Sequence, residues 1–169
     1  VRSNRERYEQ EFVDFLRIPS VSTEKRYAED VTRCAEWLAE IVRDTGVYLI
    51  SDEVYEHLVF DGRRHLSVLE RPALRARSFA HFSFGKTFSV TGWKTGYCVA
   101  PPALTAELRK VHQYVAFVAV TPVQWALTDF MQAQPSYPAS LAAFYQRKRD
   151  LFCDALQDSR FSLRRSAGS

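Results

Sequence analysis

Apolar and polar positions follow three rhythms along this chain. Over residues 5–17, Tyr8, Phe12, Phe15 and Leu16 recur at helical spacing with charges between them, which predicts an amphipathic helix. Pro19 and the Ser20–Thr23 run break that pattern. A second amphipathic helix is predicted over 27–44, with Val31, Cys34, Leu38, Ile41 and Val42 on one face and Gly46 as its stop. Val47-Tyr48-Leu49-Ile50 is short, β-rich and continuously apolar, the pattern of a strand buried on both faces in a parallel sheet. Residues 63–77 are Arg-rich and read as helix plus loop. Ser78–Phe84 and Gly96–Ala100 read as two further strands, the latter closed by Pro101-Pro102. Helices are predicted over 103–116, 122–133 and 138–157, with Pro102, Pro122 and Pro138 at their first turns. Ser162–Ser169 reads as a short β-like piece followed by small residues. This order predicts an α/β layer structure with about three strands flanked by helices.

Composition narrows the function classes. The 169 residues are 46% hydrophobic, 25% charged and 14% aromatic, which excludes a disordered or low-complexity chain. A net charge of +3 is too small to imply nucleic acid or an anionic membrane. The charge is uneven: residues 1–46 hold 8 Lys/Arg against 10 Asp/Glu, and residues 47–169 hold 15 against 10. No apolar run approaches the roughly 20 residues needed to span a bilayer, and no apolar leader follows the charged start. Cys34, Cys98 and Cys153 are odd in number and far apart, so neither a disulfide framework nor a C-x-x-C motif is available. Reduced thiols and a cytoplasmic location are the expectation. No metal is expected, because His57, His65, His81 and His112 are isolated, with no carboxylate two residues on.

The stretch 50–97 carries the candidate chemistry. A strand ending in Asp52 puts a carboxylate at the carboxyl end of a sheet, where open α/β sheets bind ligands. Tyr55 follows, then Ser83-Phe84-Gly85-Lys86 and Thr91-Gly92-Trp93-Lys94-Thr95-Gly96-Tyr97. An acid, a phenol, a lysine, and hydroxyl and cationic groups near a glycine suit a phosphorylated, electron-withdrawing cofactor. Taken singly, Asp52 reads equally as a cap or turn acid, Tyr55 and Tyr97 as core aromatics, and Lys86 and Lys94 as solvated lysines. Ser83-Phe84-Gly85-Lys86 and Lys94-Thr95-Gly96 also match the S-x-x-K and K-T-G words of penicillin-binding proteins. Those elements normally lie far apart and flank an S-D-N word, whereas here they are adjacent, so that reading fails.

Three words in order, Ile50-Ser51-Asp52-Glu53-Val54-Tyr55-Glu56, Ser83-Phe84-Gly85-Lys86-Thr87-Phe88 and Val90-Thr91-Gly92-Trp93-Lys94-Thr95-Gly96-Tyr97, carry a family likeness. Residues from about 37 to 169 resemble part of the large domain of fold type I pyridoxal-phosphate aminotransferases, in the subgroup acting on methionine, kynurenine and aromatic amino acids. The resemblance implies pyridoxal 5'-phosphate as cofactor, an amino-acid substrate and a homodimer. It assigns Lys86 to the Schiff base and the substrate proton, a role that needs a partly desolvated lysine. It assigns Asp52 to the pyridine nitrogen, Tyr55 to the ring's 3′-oxygen, and Ser83 and Lys94 to the phosphate. Complete members of that family are much longer and clamp the substrate carboxylate with an arginine of a second domain, so weak or no transamination is expected of these 169 residues.

The first 40 residues carry a different likeness. Tyr8-Glu9-Gln10-Glu11-Phe12-Val13-Asp14-Phe15-Leu16-Arg17-Ile18-Pro19-Ser20-Val21-Ser22, continued by Ala35-Glu36-Trp37-Leu38-Ala39-Glu40, resembles the amino-terminal helices of zinc peptidases related to carnosine dipeptidase. That resemblance implies a chimera of residues 1–40 with an aminotransferase-like 41–169, expected to pack as one unit. The alternative function is an engineered chimeric fold without catalysis.

Overall fold

The computed structural model describes residues 4–21 and 24–168. Ser22, Thr23 and Ser169, which belong to the expected break and tail, lie outside the described residues. The chain divides into two compact units, one ending at Val47 and the other beginning at Tyr48.

The first unit holds α1 (Arg5–Leu16) and α2 (Ala28–Thr45). Both helices fall within a residue or so of the expectation. Gly46 closes α2 in the left-handed region at φ 74°, a conformation that glycine adopts without Cβ strain. Glu29 and Asp30 in the first turn of α2 and Arg43 in its last complement the helix dipole. The rings of Phe15 and Trp37 meet at 5.7 Å and join the two helices. Cys34 and Val42 of the predicted face are buried, whereas Leu38 is exposed. Arg5–Glu9 and Arg7–Glu11 pair at i,i+4 on α1, each contributing about 0.3–0.5 kcal/mol.

The second unit is built on a three-stranded sheet ordered β1 (Leu49–Asp52), β2 (Ser78–Ser83) and β3 (Gly96–Val99). β1 runs parallel to β2 and β3 antiparallel to it. A parallel pair needs a crossover, supplied by residues 53–77 with a 3-10 turn (Val68–Glu70) and the single-turn α3 (Pro72–Arg75). After β2 come the single-turn α4 (Phe84–Thr87) and a 3-10 turn (Thr91–Trp93). Then follow α5 (Pro102–Val115), α6 (Thr121–Ala133) and α7 (Tyr137–Ala155). The prolines start these helices as expected, since their missing N–H is an orphan donor there anyway.

Several expectations need correction. The first strand begins at Leu49 rather than Val47 and takes in Ser51 and Asp52, whose register partners are Ala80 and His81. It is not buried on both faces, because Ile50 is 73% exposed. β1 is an edge of the sheet, and alternate side chains of a strand point to opposite faces, so Ile50 stands on the uncovered one. The buried strand is the central β2, where Ser78 and Ala80 have no exposure. Leu151 and Phe152 of α7 are exposed as well, and so is the apolar run 115–120, with Phe117 at 80%. The expected tail strand reduces to one bridge between Val59 and Gly168.

Leu127 and Leu141 anchor α6 and α7, each worth about 1.5–3 kcal/mol when buried. A chain of rings extends this core from the sheet. Phe82 stacks on Tyr97 at 4.9 Å, Tyr97 meets Phe84 at 5.0 Å, and Phe88 meets Phe130 at 5.5 Å. Phe130 then meets Tyr137 edge-on at 5.2 Å. Through these contacts the β2–α4 corner is held against α6 and α7.

Candidate active site around Lys86

The corner after β2 is a backbone knot that presents Lys86. Ser83 caps α4, its Oγ accepting from the Lys86 N–H at 3.3 Å, while Thr87 Oγ1 donates to the Ser83 carbonyl at 3.2 Å. The Gly85 carbonyl accepts from the Val90 N–H at 3.0 Å and from Thr91 Oγ1 at 3.2 Å. A Cβ on Gly85 would lie 3.0 Å from Thr91 Cα, so this close approach needs glycine. Ser89 completes the turn at φ 57°, a strained conformation for a residue with a side chain. Lys86 is half-buried, and its Nζ stands 5.5 Å from the centroid of the Tyr55 ring.

Tyr55 comes from the loop after β1, and Glu53 fixes how that loop leaves the sheet. The Glu53 N–H donates to the His81 carbonyl at 2.9 Å, continuing the β1–β2 ladder by one bond. Its side chain is buried. Oε2 meets His65 Nε2 at 2.7 Å, and Oε1 accepts from the Val68 N–H at 3.2 Å. Burial alone would raise the Glu53 pKa. Hydrogen bonds from His65, Ser67, Val68 and Ser51 outweigh it and hold the carboxyl below its ordinary value.

Lys86 and Tyr55 open into one cavity of about 640 Å³. Asp52, Ser83 and Lys94 do not line it. Asp52 is exposed at the carboxyl end of β1, Ser83 lies behind Lys86 as the α4 cap, and Lys94 is exposed at φ 53° after the 3-10 turn. The opposite wall comes from residues that the sequence did not single out: Tyr145, Lys148, Arg149 and Phe152 of α7, with Ser166 and Gly168. Arg149 forms the frame of this wall. It binds both oxygens of Asp61 at 2.7 Å, Asp150 at 3.0 Å and the Ser166 carbonyl at 2.5 Å. Its plane also lies 5.1 Å from the Phe60 ring. The Asp61 carboxylate raises the Arg149 pKa still further, so the guanidinium stays charged. The Phe60 N–H donates to the Ala167 carbonyl at 2.9 Å, stitching residues 166–168 to the 58–61 loop. Among the described residues, no group of three or more His, Cys, Asp or Glu side chains is arranged to hold a metal ion. No described helix is long and apolar enough to cross a membrane.

The mixed sheet and its flanking helices make this an α/β protein with a lysine and a phenol lining one cavity. Comparison with known proteins makes the class specific. The model of the family "Aminotransferase class I and II" matches residues 31–168, and the chain belongs to that family. It is similar to the methionine aminotransferase of Escherichia coli (strain K12), 51% identical over 117 residues, which are 69% of this chain and 30% of that protein. It is 40% identical to the kynurenine–oxoglutarate transaminase of Dictyostelium discoideum over 124 residues, 70% of this chain and 28% of the relative. Among solved structures, YbdL of Escherichia coli, identified as a methionine aminotransferase, matches with a TM-score of 0.75 and 45% identity over 81% of this chain and 36% of that one. N-succinyldiaminopimelate aminotransferase from Mycobacterium tuberculosis matches with a TM-score of 0.72 and 33% identity, over 79% of this chain and 35% of that one. The chain thus spans about a third of the length of the relatives it matches. The match confirms a partial aminotransferase fold and begins within α2, ahead of residue 37.

Class I and II aminotransferases are pyridoxal-phosphate enzymes; of the residues assigned to that cofactor, Lys86 and Tyr55 line the cavity, whereas Asp52, Ser83 and Lys94 stand outside it. The side chains of Lys86 and Tyr55 face one cavity. A hydroxyl stands at the first turn of α4, and the Gly85 backbone is held free of a Cβ beside it.

Proposed function

We propose that this chain is a pyridoxal-phosphate-binding segment of an amino-acid aminotransferase, with Lys86 as the cofactor lysine. The observation that carries the reading is the shared cavity of Lys86 and Tyr55 behind the Ser83–Gly85 knot. When bound, the cofactor supplies an electron sink for a bond broken at the substrate α-carbon. Lys86 Nζ would bind the cofactor and move the α-proton. The Tyr55 phenol would donate to the ring oxygen, and Asp52 at the strand end would pair with the ring nitrogen. Ser83 and Lys94 would take the phosphate. Methionine, aromatic amino acids or kynurenine are the substrate class, from the activities named for the relatives. Because Asp52 is exposed, water screens its pairing, and the 169-residue chain is expected to bind cofactor better than it transaminates.

The test is an absorbance spectrum with added pyridoxal phosphate, followed by borohydride reduction and peptide mass mapping. A reduced adduct at Lys86 alone is the expected result. Label scattered over surface lysines, or none, would overturn the reading in favour of a folded chain without catalysis.

Self-association into a homodimer is part of the same proposal. The exposed run Val115, Phe117, Val118 and Val120, with Trp125 beyond it, is apolar surface that a second copy would cover. Sedimentation velocity is expected to show a dimer, and a monomer at micromolar concentration would remove that part. A chimeric origin rests on the peptidase-like pattern of residues 1–40, of which only 1–30 lie outside the family match. Amplification across that junction from source DNA tests it: an unbroken natural locus speaks against engineering. The three free cysteines suit a reducing cytoplasm, which cell fractionation would check. Burial pushes the Cys98 thiol pKa up, which disfavours the thiolate.

A further inference from the structure

We propose that residues 166–168 are a strap across the Lys86 cavity, latched by polar bonds, and that its release admits a carbonyl compound to the Lys86 amine. The inference concerns access to that amine and stands whether or not the amine carries the cofactor. Ser166 and Gly168 line the cavity together with Lys86 and Tyr55. Backbone contacts hold the strap there. The Ser166 carbonyl accepts from Arg149 Nη1 at 2.5 Å, the Ala167 carbonyl accepts from the Phe60 N–H at 2.9 Å, and Gly168 bridges Val59. The seat is tight, because a Cβ on Gly168 would lie 2.9 Å from the Leu58 carbonyl oxygen. Arg149 is the fixed post of the latch. Its side chain is only 9% exposed and is held by both carboxylate oxygens of Asp61 and by Asp150.

What holds the strap is weak enough to open locally. Its side chains are a hydroxymethyl, a methyl and a hydrogen, so it buries almost no apolar surface. Each net hydrogen bond shifts an open–closed equilibrium by only about two- to ten-fold. The arm leading to the strap adds no apolar anchor: every residue from 160 to 166 is exposed, Phe161 and Leu163 included. Arg165 is tied to Asp150 and Asp154 of α7, but surface ion pairs contribute little. α7 is held differently. Leu141 anchors it in the core and Arg149 ties it to Asp61, so α7 stays when the strap leaves. Segments with few buried apolar contacts are the ones that open without global unfolding. Release of this one removes Ser166 and Gly168 from the cavity lining and leaves Lys86 and Tyr55 in place.

The test reads the strap and the amine separately, on the whole chain without cofactor. Hydrogen exchange at the Phe60 amide, followed by NMR, reports the strap, because its acceptor is the Ala167 carbonyl. The Phe88 amide, bonded to the Phe84 carbonyl at 2.8 Å, is the reference. Trinitrobenzenesulfonate, a bulky amine reagent, with peptide mapping reports access to Lys86, and the exposed Lys94 is the reference. Gly168→Ala drives a Cβ against the Leu58 carbonyl and leaves every cation in place. It should speed Phe60 exchange and Lys86 labelling about ten-fold, while Phe88 and Lys94 keep the parent's rates. Asp61→Asn loosens the post without touching the strap, and asparagine tolerates the φ of 59° at that position. It should speed both by about three-fold. Faster Phe60 exchange with unchanged Lys86 labelling would overturn the gate. Unchanged exchange in both variants would overturn the latch, and equal acceleration at Phe60 and Phe88 would replace local opening with unfolding of the unit. Mapping of the reduced pyridoxal-phosphate adduct tests the cofactor assignment on its own, so either reading can fail while the other stands.

Discussion

Lys86→Ala is expected to leave a folded chain that gives no reduced pyridoxal-phosphate adduct and no cofactor colour. The side chain contributes little to local structure. The bond that caps α4 is donated by its backbone N–H to Ser83 Oγ, which alanine preserves. What disappears from the fold is the ammonium over Tyr55, worth about 0.5–1 kcal/mol at a partly exposed site. What disappears from the chemistry is the amine that stands over Tyr55; Lys148, the other lysine among the described lining residues, stands over Phe144 and Tyr145 instead. Lys94→Ala should behave differently. Lys94 is exposed in the left-handed region, where its charge is screened, so losing it should weaken cofactor binding by about three- to ten-fold while the adduct still forms at Lys86. Equal colour in Lys86→Ala, or abolished colour in Lys94→Ala, would overturn the division of roles. Titration of absorbance with pyridoxal phosphate, with mapping of the reduced product, reads both variants.

Local signals in the sequence mark what local physics decides. Gly46 stops α2 because only a residue without Cβ takes that φ cheaply, and the three prolines start helices because their missing N–H is no loss there. The Ser-Phe-Gly-Lys word is legible because Ser83 caps α4 and Gly85 allows a close backbone approach just before Lys86. The other half of the cavity was not legible. Arg149 reaches Asp61 across 88 positions, and nothing in Arg-Lys-Arg-Asp distinguishes that arginine from a solvated one. Periodicity failed in a complementary way. The continuously apolar run ending at Ile50 reads as a strand buried on both faces, but an apolar pattern says nothing about whether another element covers a face, and Ile50 is 73% exposed. The backbone of the Ser83–Lys86 corner was therefore readable from one segment, whereas the wall from α7 and residues 166–168 was hidden, and Asp52, Ser83 and Lys94 do not line the cavity.

Glu53→Ala is expected to destabilise the second unit by about 3 kcal/mol, measured by urea unfolding at pH 7. The change leaves the part-buried His65 Nε2 and Val68 N–H without their acceptor and empties the buried position of the carboxylate. The carboxylate also makes stability depend on pH with a definite sign. Its folded pKa lies below the ordinary 4.5, so the unfolded chain binds the proton more readily. The stabilisation is fully present above about pH 5 and is lost as pH falls through the folded value. The parent should therefore weaken on acidification below about pH 5, with a steeper slope than Glu53→Gln, which has no proton to take up. Parallel acid slopes, or a loss in Glu53→Ala below about 0.5 kcal/mol, would show that the carboxylate is not an anchor. Because Glu53 stands between Asp52 and Tyr55, its loss should also loosen the phenol that Lys86 faces. Both variants should then form the Lys86 adduct with weaker apparent affinity even at pH 7, where the folded population is still high. A change in unfolding alone, with cofactor affinity unmoved, would mean that Tyr55 is held by the Ser83–Gly85 knot and not by the strand end.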